Sequence, residues 1–189
     1  MVFPLKEIIF TDDGAISEER IEFLDKIFSS FKCSRVNKDV EYFLKEKAIE
    51  FEKSKEAATF LVFDDEEFKK GNLKLTAFFS LALKVFSFTK DADEANKGIM
   101  GVNRNTVPAY LIGQLARSED SQNGFGKTVL RQAISYIKSA QYFVGGKLVY
   151  LDCRDDLVKY YEKQGFKFIQ KRKKADENGD RLNQMYIII

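Results

Sequence analysis

The sequence predicts a mixed domain in which helices pack on a β-sheet, of the α+β or mixed α/β class. Three observations predict it: helical periodicity near the N-terminus, period-two segments in the middle, and alternating strand and helix signals towards the C-terminus. A chain of 189 residues with 44% hydrophobic and 32% charged residues has the size and composition of one globular domain. Because neither a repeat nor a linker is visible, we expect a single domain over residues 1–189.

Two amphipathic helices are predicted first, over residues 17–31 and 37–56. Ser17 and Asn37 are suitable N-caps for them, because their side-chain oxygens can accept hydrogen bonds from the free amides of a first helical turn. The run Thr59–Asp64 is short, apolar and partly β-branched or aromatic, which predicts a strand. A polar, glycine-containing loop is expected after it.

Two strands are predicted in the middle of the chain. In Leu73–Phe88 the odd positions from 73 to 85 are all apolar, a period of two that is typical of a strand with unequally buried faces. A polar, glycine-containing insertion separates it from a second strand, Val107–Ser118. Pro108 has no amide hydrogen to donate, so we expect it at the start or edge of that strand.

The C-terminal part alternates between helices and strands. The predicted elements are a helix from about Gly126 to Tyr142, a strand Lys147–Asp152, a short helix Asp156–Gln164, and the strands Phe166–Gln170 and Gln184–Ile189. Gly165 stands where a glycine in left-handed conformation commonly ends a helix. Asn178 and Gly179 form a suitable turn between the last two strands.

Composition excludes several kinds of active site. Histidine is absent, which removes Ser-His-Asp and Cys-His triads and HExxH zinc sites. The two cysteines lie far apart in the sequence and match no zinc spacing, so no metal is expected. A net charge of +2 does not identify a nucleic-acid binder. With neither a signal peptide nor a membrane span in the sequence, we expect a cytoplasmic protein.

The segment Gln114–Lys127 carries the strongest functional signal. A predicted strand runs into a polar loop, then into Gly124-Phe125-Gly126, and then into an amphipathic helix. This order directs free backbone amides and the positive helix end at an anion, typically a pyrophosphate. The two glycines allow the backbone to approach phosphate oxygens closely. Taken alone, however, a Gly-x-Gly is more often a turn that caps a helix.

One alternative for this segment is a P-loop that binds Mg-nucleotide. Ser121–Thr128 almost fits the pattern G-x-x-x-x-G-K-[ST], and the strand ending at Asp152 imitates a Walker B strand. Ser121, however, stands where the pattern requires glycine. The remainder of the chain after Thr128 also holds too few strand–helix units for a P-loop sheet.

The other alternative accounts for more of the chain. Ser121–Gly126 resembles the acetyl-CoA loop [RQ]-x-x-G-x-[GA], and Tyr161–Phe166 resembles a Y-x-x-x-G-F ending. With the order of elements between them, residues 107–168 resemble the GNAT superfamily of N-acetyltransferases. Phe31-Lys32-Cys33 and other N-terminal segments resemble the branch that includes tRNA-acetylating toxins. The resemblance implies a central, mostly antiparallel sheet with splayed strands flanked by helices.

The resemblance implies that acetyl-CoA is the co-substrate and assigns residues to it. Backbone amides of the loop bind its pyrophosphate, and the main chain of the preceding strand pairs with pantetheine, one amide polarising the thioester carbonyl. The residues so implied are Gln122, Asn123, Gly124, Phe125, Gly126 and Lys127 in the loop and Leu115, Ala116 and Arg117 in the strand. Three positions depart from the family pattern, Arg117, Ser118 and Ser121, and none removes a main-chain donor.

The resemblance assigns Tyr161 as the general acid. A phenol with its ordinary pKa is protonated at neutral pH and can give its proton to the departing thiolate. Tyr161 can equally be an aromatic that anchors a short helix, and only motif spacing distinguishes it from Tyr160. The general base is not identified; Glu119 and Asp120 are candidates by proximity, although acids in loops are mostly solvated.

The amine acceptor is left open between a small molecule, a protein amine and aminoacyl-tRNA. A basic cluster is a candidate contact for RNA phosphates or an acidic partner, although lysines also protect strand edges from aggregation. The cluster comprises Lys167, Lys171, Arg172, Lys173 and Lys174. An antitoxin-like protein and a second copy of the chain are further partners left open. A P-loop hydrolase and a catalytically silent CoA-binding module remain the alternative functions, and Cys153 is expected to be a buried, inert thiol.

Overall fold

The computed structural model describes residues 1–33, 38–89, 92, 98, 105–175, 179 and 181–189. The strands are β1 (Val2–Pro4), β2 (Ala58–Phe63), β3 (Leu75–Ser87), β4 (Thr106–Arg117), β5 (Leu148–Cys153), β6 (Lys167–Lys171) and β7 (Asn183–Ile188). In this part of the chain they form one sheet in the order β1-β2-β3-β4-β5-β7-β6. The pairs β1/β2, β2/β3, β5/β7 and β6/β7 are antiparallel, and β4/β5 is parallel. The predicted mixed, mostly antiparallel sheet with helices is confirmed.

The helices and helical turns lie between the first and the last of these strands. They are α1 (Leu5–Ile9), α2 (Glu18–Ser30), α3 (Lys38–Tyr42), a π-helical turn (Phe43–Lys47), α4 (Ala48–Lys53), α5 (Asp65–Lys69), α6 (Phe125–Val144), a 3₁₀ turn (Asp155–Leu157) and α7 (Val158–Glu162). The chain divides into two compact units, one formed by residues 1–81 and 114–134 and the other by residues 82–113 and 135–189. The expected single domain stays a prediction.

The first unit has a core rich in phenylalanine. Helix α2 is capped by Ser17, whose hydroxyl accepts from the Arg20 amide, as the sequence predicts. The helix buries Phe28 completely, and the next residue but two, Phe31, meets Phe78 of β3 edge-to-face at 5.6 Å between ring centroids. An aromatic pair of this geometry contributes about 1 kcal/mol beyond the burial of its area. The helix and the first half of the sheet are thereby joined.

The second predicted helix contains a π-helical turn between α3 and α4. A spacing of four residues, as between Leu44 and Ala48, suits a turn of either helix type, so the interruption is not visible in the pattern. Leu44 and Ala48, on the predicted apolar stripe, are both fully buried. The predicted cap at Asn37 lies outside the described residues, as does Asn178 of the predicted turn.

The sequence analysis missed β1, α1 and α5, which are all short. Helix α5 occupies what was expected to be a polar loop. Its signal was present: the Asp64 carboxylate accepts from the Glu66 and Glu67 amides, and an acid three residues after an N-cap is typical of a helix start. Its few apolar residues give no periodicity to detect.

The second unit has its own core around β5. Phe86 of β3 packs edge-to-face on Tyr150 at 4.9 Å. At the end of α6 the chain turns through Gly145 and Gly146, and the Tyr110 hydroxyl donates to the Gly145 carbonyl. The Gln141 side chain also donates from Nε2 to the Gly146 carbonyl at 2.7 Å. The turn is therefore held from β4 and from α6.

Replacing Gly146 with alanine should destabilise the protein more than replacing Gly145. Both glycines have positive φ, +69° at Gly145 and +92° at Gly146, so each alanine costs about 1 kcal/mol in backbone strain. At Gly146 the added Cβ would also lie 3.0 Å from the Tyr110 ring, whereas at Gly145 it meets nothing within 4 Å. We expect urea unfolding to show roughly twice the loss for Gly146→Ala. Equal losses would show that the Tyr110 ring moves freely.

Candidate functional site

The end of strand β4 is attached to β3 on one side. The Gln114 amide donates to the Ser80 hydroxyl at 2.9 Å, and the Ser118 amide donates to the Thr76 carbonyl at 2.7 Å. Successive residues of a strand direct their main-chain groups to opposite sides, so Leu115 and Arg117 direct theirs away from β3. These are the two residues whose main chain the sequence analysis assigned to pantetheine.

Strand β4 extends beyond the part that pairs with β5. Its register with β5 joins Tyr110, Leu111 and Ile112 to Val149, Tyr150 and Leu151. Beyond Ile112, β4 continues to Arg117. Ala116 packs its side chain into the core of the first unit, so of the three predicted strand residues it contributes to the site mainly by fixing the strand.

The loop after β4 is anchored at its beginning. Ser118 is buried, and its hydroxyl accepts from the Asp120 amide at 3.3 Å. The Glu119 amide donates to the Lys32 carbonyl at 2.9 Å. These bonds, with that of the Ser118 amide, fix the first three residues of the loop to the first unit.

The following residues leave main-chain donors unused. The amides of Gln122, Asn123, Gly124 and Gly126 find no acceptor among the described residues. The Phe125 amide donates to the Gln122 carbonyl at 3.2 Å. The Lys127 amide, predicted to bind phosphate, donates to the Gly124 carbonyl at 3.0 Å, and the Lys127 side chain is exposed. Of the six loop residues assigned to acetyl-CoA, four thus have amides available to an anion, and Lys127 has its ammonium to offer.

Gly124 gives the loop its shape. Its φ of +86° lies in the left-handed region, and a Cβ built on it meets nothing within 4 Å. The glycine is therefore needed for its backbone conformation and leaves open space in front of the loop. The loop leads into the twenty residues of α6, whose N-terminal end is positive. The first turn of α6 contains no acidic residue.

Tyr161 belongs to the second unit, where a Schellman motif ends α7. The Phe166 amide donates to the Tyr161 carbonyl at 3.1 Å, and the Gly165 amide donates to the Glu162 carbonyl at 2.9 Å. Gly165 has a φ of +91°, as predicted for the residue that ends this helix. The Tyr161 and Phe166 rings pack edge-to-face at 5.7 Å, the hydrophobic contact that accompanies this motif. The sequence Y-x-x-x-G-F is thus explained as a helix terminus.

The Tyr161 side chain lies in an apolar environment. It is 8% exposed, and burial raises its pKa well above the ordinary value for a tyrosine. None of the described residues forms a hydrogen bond with its hydroxyl. Tyr160 packs beside it at 5.1 Å and is more exposed. A phenol so placed is protonated across the physiological range and has a proton to donate.

The candidate bases and the basic cluster show no arrangement that assigns them a role. Glu119 is half-buried and Asp120 is exposed, and neither is singled out as a base. In the basic cluster, Lys171 pairs with Asp155 at 2.6 Å and Arg172 approaches Asp152 at 3.6 Å. The other members, Lys167, Lys173 and Lys174, are exposed. In the described part of the chain, no cluster of three acidic or thiol side chains could hold a metal ion, and every helix is too short or too polar to cross a membrane.

Comparison with known proteins finds no matching family model and no curated protein of similar sequence. Solved structures, however, match in fold. A KacT mutant aligns with a TM-score of 0.68 at 13% identity, over 100% of this chain and 94% of that chain. AtaT complexed with acetyl-methionyl-tRNA aligns at 0.66 and 16% identity, over 97% and 92%. AtaTR bound with acetyl-CoA aligns at 0.63 and 15% identity, over 100% and 92%.

KacT and AtaT are GNAT-fold toxins. The chain has the GNAT fold. This confirms the resemblance that the sequence showed at residues 107–168. The GNAT fold also explains why strand, loop, long helix, strand and short helix follow one another in the order predicted.

Two departures from the GNAT loop pattern contact each other. The Arg117 Nη1 donates to the Ser121 carbonyl at 3.1 Å and to the Ser121 hydroxyl at 3.2 Å. The Ser121 hydroxyl in turn donates to the Ser118 carbonyl at 2.6 Å. The sequence analysis treated these positions separately and missed the contact. Its only signal was that an arginine and a hydroxyl residue both stand at unusual positions four residues apart.

The two cysteines should not react with a thiol reagent while the protein is folded. Cys33 and Cys153 are 3% and 4% exposed, and burial raises the pKa of each thiol to about 11. At pH 8 only about 0.1% of such a thiol is thiolate, against roughly a quarter for a free cysteine. We expect Ellman's reagent to titrate two thiols in guanidinium and almost none in buffer. Fast reaction of either thiol in buffer would contradict the burial described here.

Proposed function

We propose that the chain is an acetyltransferase that transfers the acetyl group of acetyl-CoA to a primary amine. The amine nitrogen attacks the thioester carbonyl carbon, the carbon–sulfur bond breaks, and the thiolate takes a proton. The nitrogen gives its own proton to water or to a carboxylate. GNAT-fold neighbours support this proposal, since AtaTR is bound with acetyl-CoA and AtaT is complexed with acetyl-methionyl-tRNA.

The observation that carries the proposal is the set of unused amides between β4 and α6. The first amides of a helix lack intrahelical acceptors, so water, a capping side chain or a ligand must accept from them. Gln122, Asn123, Gly124 and Gly126 supply four such donors within five residues, in front of a glycine that leaves open space. A pyrophosphate has the charge and the several acceptor oxygens that this set requires. The site therefore fits the diphosphate of CoA.

The main-chain direction at the end of β4 supports the place of pantetheine. The main-chain groups of Leu115 and Arg117 point away from β3, so they are available to pair with the amides of pantetheine as an added strand would. An amide from this stretch can also donate to the thioester oxygen, on which negative charge develops during attack. These donors need no side-chain chemistry, which suits a chain without histidine.

We assign the general acid to Tyr161. Its apolar surroundings keep the phenol protonated, and no described residue forms a hydrogen bond with its hydroxyl. The proton that it gives to the CoA thiolate is recovered from solvent after the product leaves. Because the Schellman motif fixes α7 through the Tyr161 carbonyl and ring, the hydroxyl is held in position without a hydrogen bond.

For the acceptor we propose aminoacyl-tRNA. The AtaT complex supports it, and so do the exposed ammonium groups of Lys167, Lys173 and Lys174, which can contact phosphates. Aminoacyl-tRNA offers an α-amino group whose lower pKa makes it a better nucleophile at neutral pH than a lysine side chain. By analogy with AtaT bound to the C-terminus of the antitoxin AtaR, we also propose an antitoxin-like partner.

The first experiment is calorimetry with acetyl-CoA and, separately, with Mg-ATP. Saturable binding of acetyl-CoA alone supports the proposal, and a transfer assay with charged and uncharged tRNA then tests the acceptor. Binding of Mg-ATP alone would favour the P-loop alternative, which the GNAT fold and Ser121 already disfavour. Binding of acetyl-CoA without transfer to any amine would favour a silent CoA-binding module.

Replacing Gly124 with alanine should weaken acetyl-CoA binding, and Gly71→Ala is its matched control. Both glycines lie in the first unit with a φ near +85°, and neither has a neighbour within 4 Å of an added Cβ. Both variants should therefore lose a similar stability, about 1 kcal/mol. Only Gly124→Ala distorts the amides of the loop, so we expect its acetyl-CoA affinity to fall about tenfold or more. Equal affinities in the two variants would contradict the loop assignment.

Replacing Tyr161 with phenylalanine should abolish most turnover and leave acetyl-CoA binding unchanged. The substitution removes only the hydroxyl, and the ring contact with Phe166 that stabilises the helix end is kept. General acid catalysis contributes on the order of 10²–10⁴-fold, so we expect a fall in kcat of that size. Tyr160→Phe is the control and should retain activity. Unchanged turnover in Tyr161→Phe would remove the assigned role.

A further inference from the structure

We propose that Arg117 is a positioning residue for the acetyl-CoA loop, acting through Ser121. This inference rests on the proposed function and adds a side chain to a site that is otherwise built from the main chain. Arg117 Nη1 reaches both the carbonyl and the hydroxyl of Ser121. It spans the segment between the end of β4 and the first unused amide, at Gln122.

Hydrogen bonds join Ser121 to the first residue of the same loop, Ser118. The Ser121 amide and hydroxyl both donate to the Ser118 carbonyl, at 3.0 Å and 2.6 Å. The same hydroxyl accepts from Arg117. Since a hydroxyl can donate and accept at once, Ser121 links the guanidinium to the anchored start of the loop. The conformation that exposes the four amides is thereby formed before any ligand arrives, which lowers the entropy lost on binding.

The charge of Arg117 is the second part of the inference. Helices α2 and α5 both begin with acidic residues, Glu18 and Glu19 in one and Asp65, Glu66 and Glu67 in the other. Helix α6 has no acid in its first turn and carries Lys127 there, which is the unfavourable sign for a positive helix end. Arg117 adds another cation to the loop that precedes the helix. Glu119 and Asp120 lie in the same loop, so the cations offered to a phosphate are those of Arg117 and Lys127 individually and not a net positive charge of the loop.

The Arg117 guanidinium has further donors that could contact a phosphate. The hydrogen bonds of Arg117 to the described residues all come from Nη1, so Nε and Nη2 are not committed to the loop. An arginine can therefore hold Ser121 and still stabilise an anion through its charge. A lysine has the charge but a shorter reach and only one nitrogen.

The test is a double-mutant cycle on acetyl-CoA affinity, measured by calorimetry. The variants are Arg117→Met, Ser121→Ala and both together, with Arg131→Met as the control for loss of an exposed cation near the start of α6. We expect the dissociation constant to rise about tenfold for Arg117→Met and about threefold for Ser121→Ala. The double variant should resemble Arg117→Met because the two residues act together. The dissociation constant of Arg117→Lys should lie between those of the wild type and Arg117→Met.

A donor without phosphate separates positioning from general destabilisation. With acetyl-CoA, Arg117→Met should raise KM and leave kcat unchanged at saturation. With S-acetylpantetheine, which lacks the pyrophosphate, Arg117→Met should lose much less activity than with acetyl-CoA, because the main chain that pairs with pantetheine is kept. If the variant is impaired equally with both donors, Arg117 stabilises the fold, and the inference is wrong.

The outcomes for the inference and for the proposed function are distinct. Absence of acetyl-CoA binding in the wild type would overturn the proposed function and the inference with it. Binding by the wild type with unchanged affinity in Arg117→Met would overturn the inference alone. Additive effects in the double variant would overturn the coupling through Ser121.

Discussion

The site depends on how the main chain is hydrogen-bonded where β4 ends. The Ser118 amide still pairs with Thr76 of β3, and the next amide, of Glu119, pairs with the Lys32 carbonyl outside the sheet. From Gln122 onwards the chain has left its partners and α6 has not yet supplied new ones. An inserted residue or a lost partner in this short stretch would change which amides are unused. The proposed acetyl-CoA site therefore depends on backbone geometry.

Tyr161 shows how a motif can carry a structural and a chemical meaning together. The glycine and phenylalanine after it are required by the helix terminus, since the first supplies a left-handed conformation and the second packs on the Tyr161 ring. A phenylalanine at 161 would satisfy the same packing. The hydroxyl is thus the part of the motif that stability does not explain, and it is the part that the proposed chemistry uses.

Most of the fold follows from periodicity, and the exceptions have physical causes. Strands β3 and β4 and helix α6 were predicted within about two residues because long segments repeat their signal several times. Helix α5 spans a single turn and repeats nothing, and the π turn preserves the apolar stripe around it. At the site, glycine spacing predicted the loop and Gly165 predicted the end of α7. The bond between Arg117 and Ser121 depends on the path of a loop, which no pattern of hydrophobicity describes.

The charges around the start of α6 also bear on the protein without ligand. A lysine at the positive end of a helix, with unpaired amides beside it, raises the free energy of the folded apoprotein. An acidic residue in that turn would relieve the repulsion and would also compete with the substrate for the same donors. On the proposed function, some stability of the apoprotein is given up for affinity, a compromise that is common where a binding site is built into the scaffold.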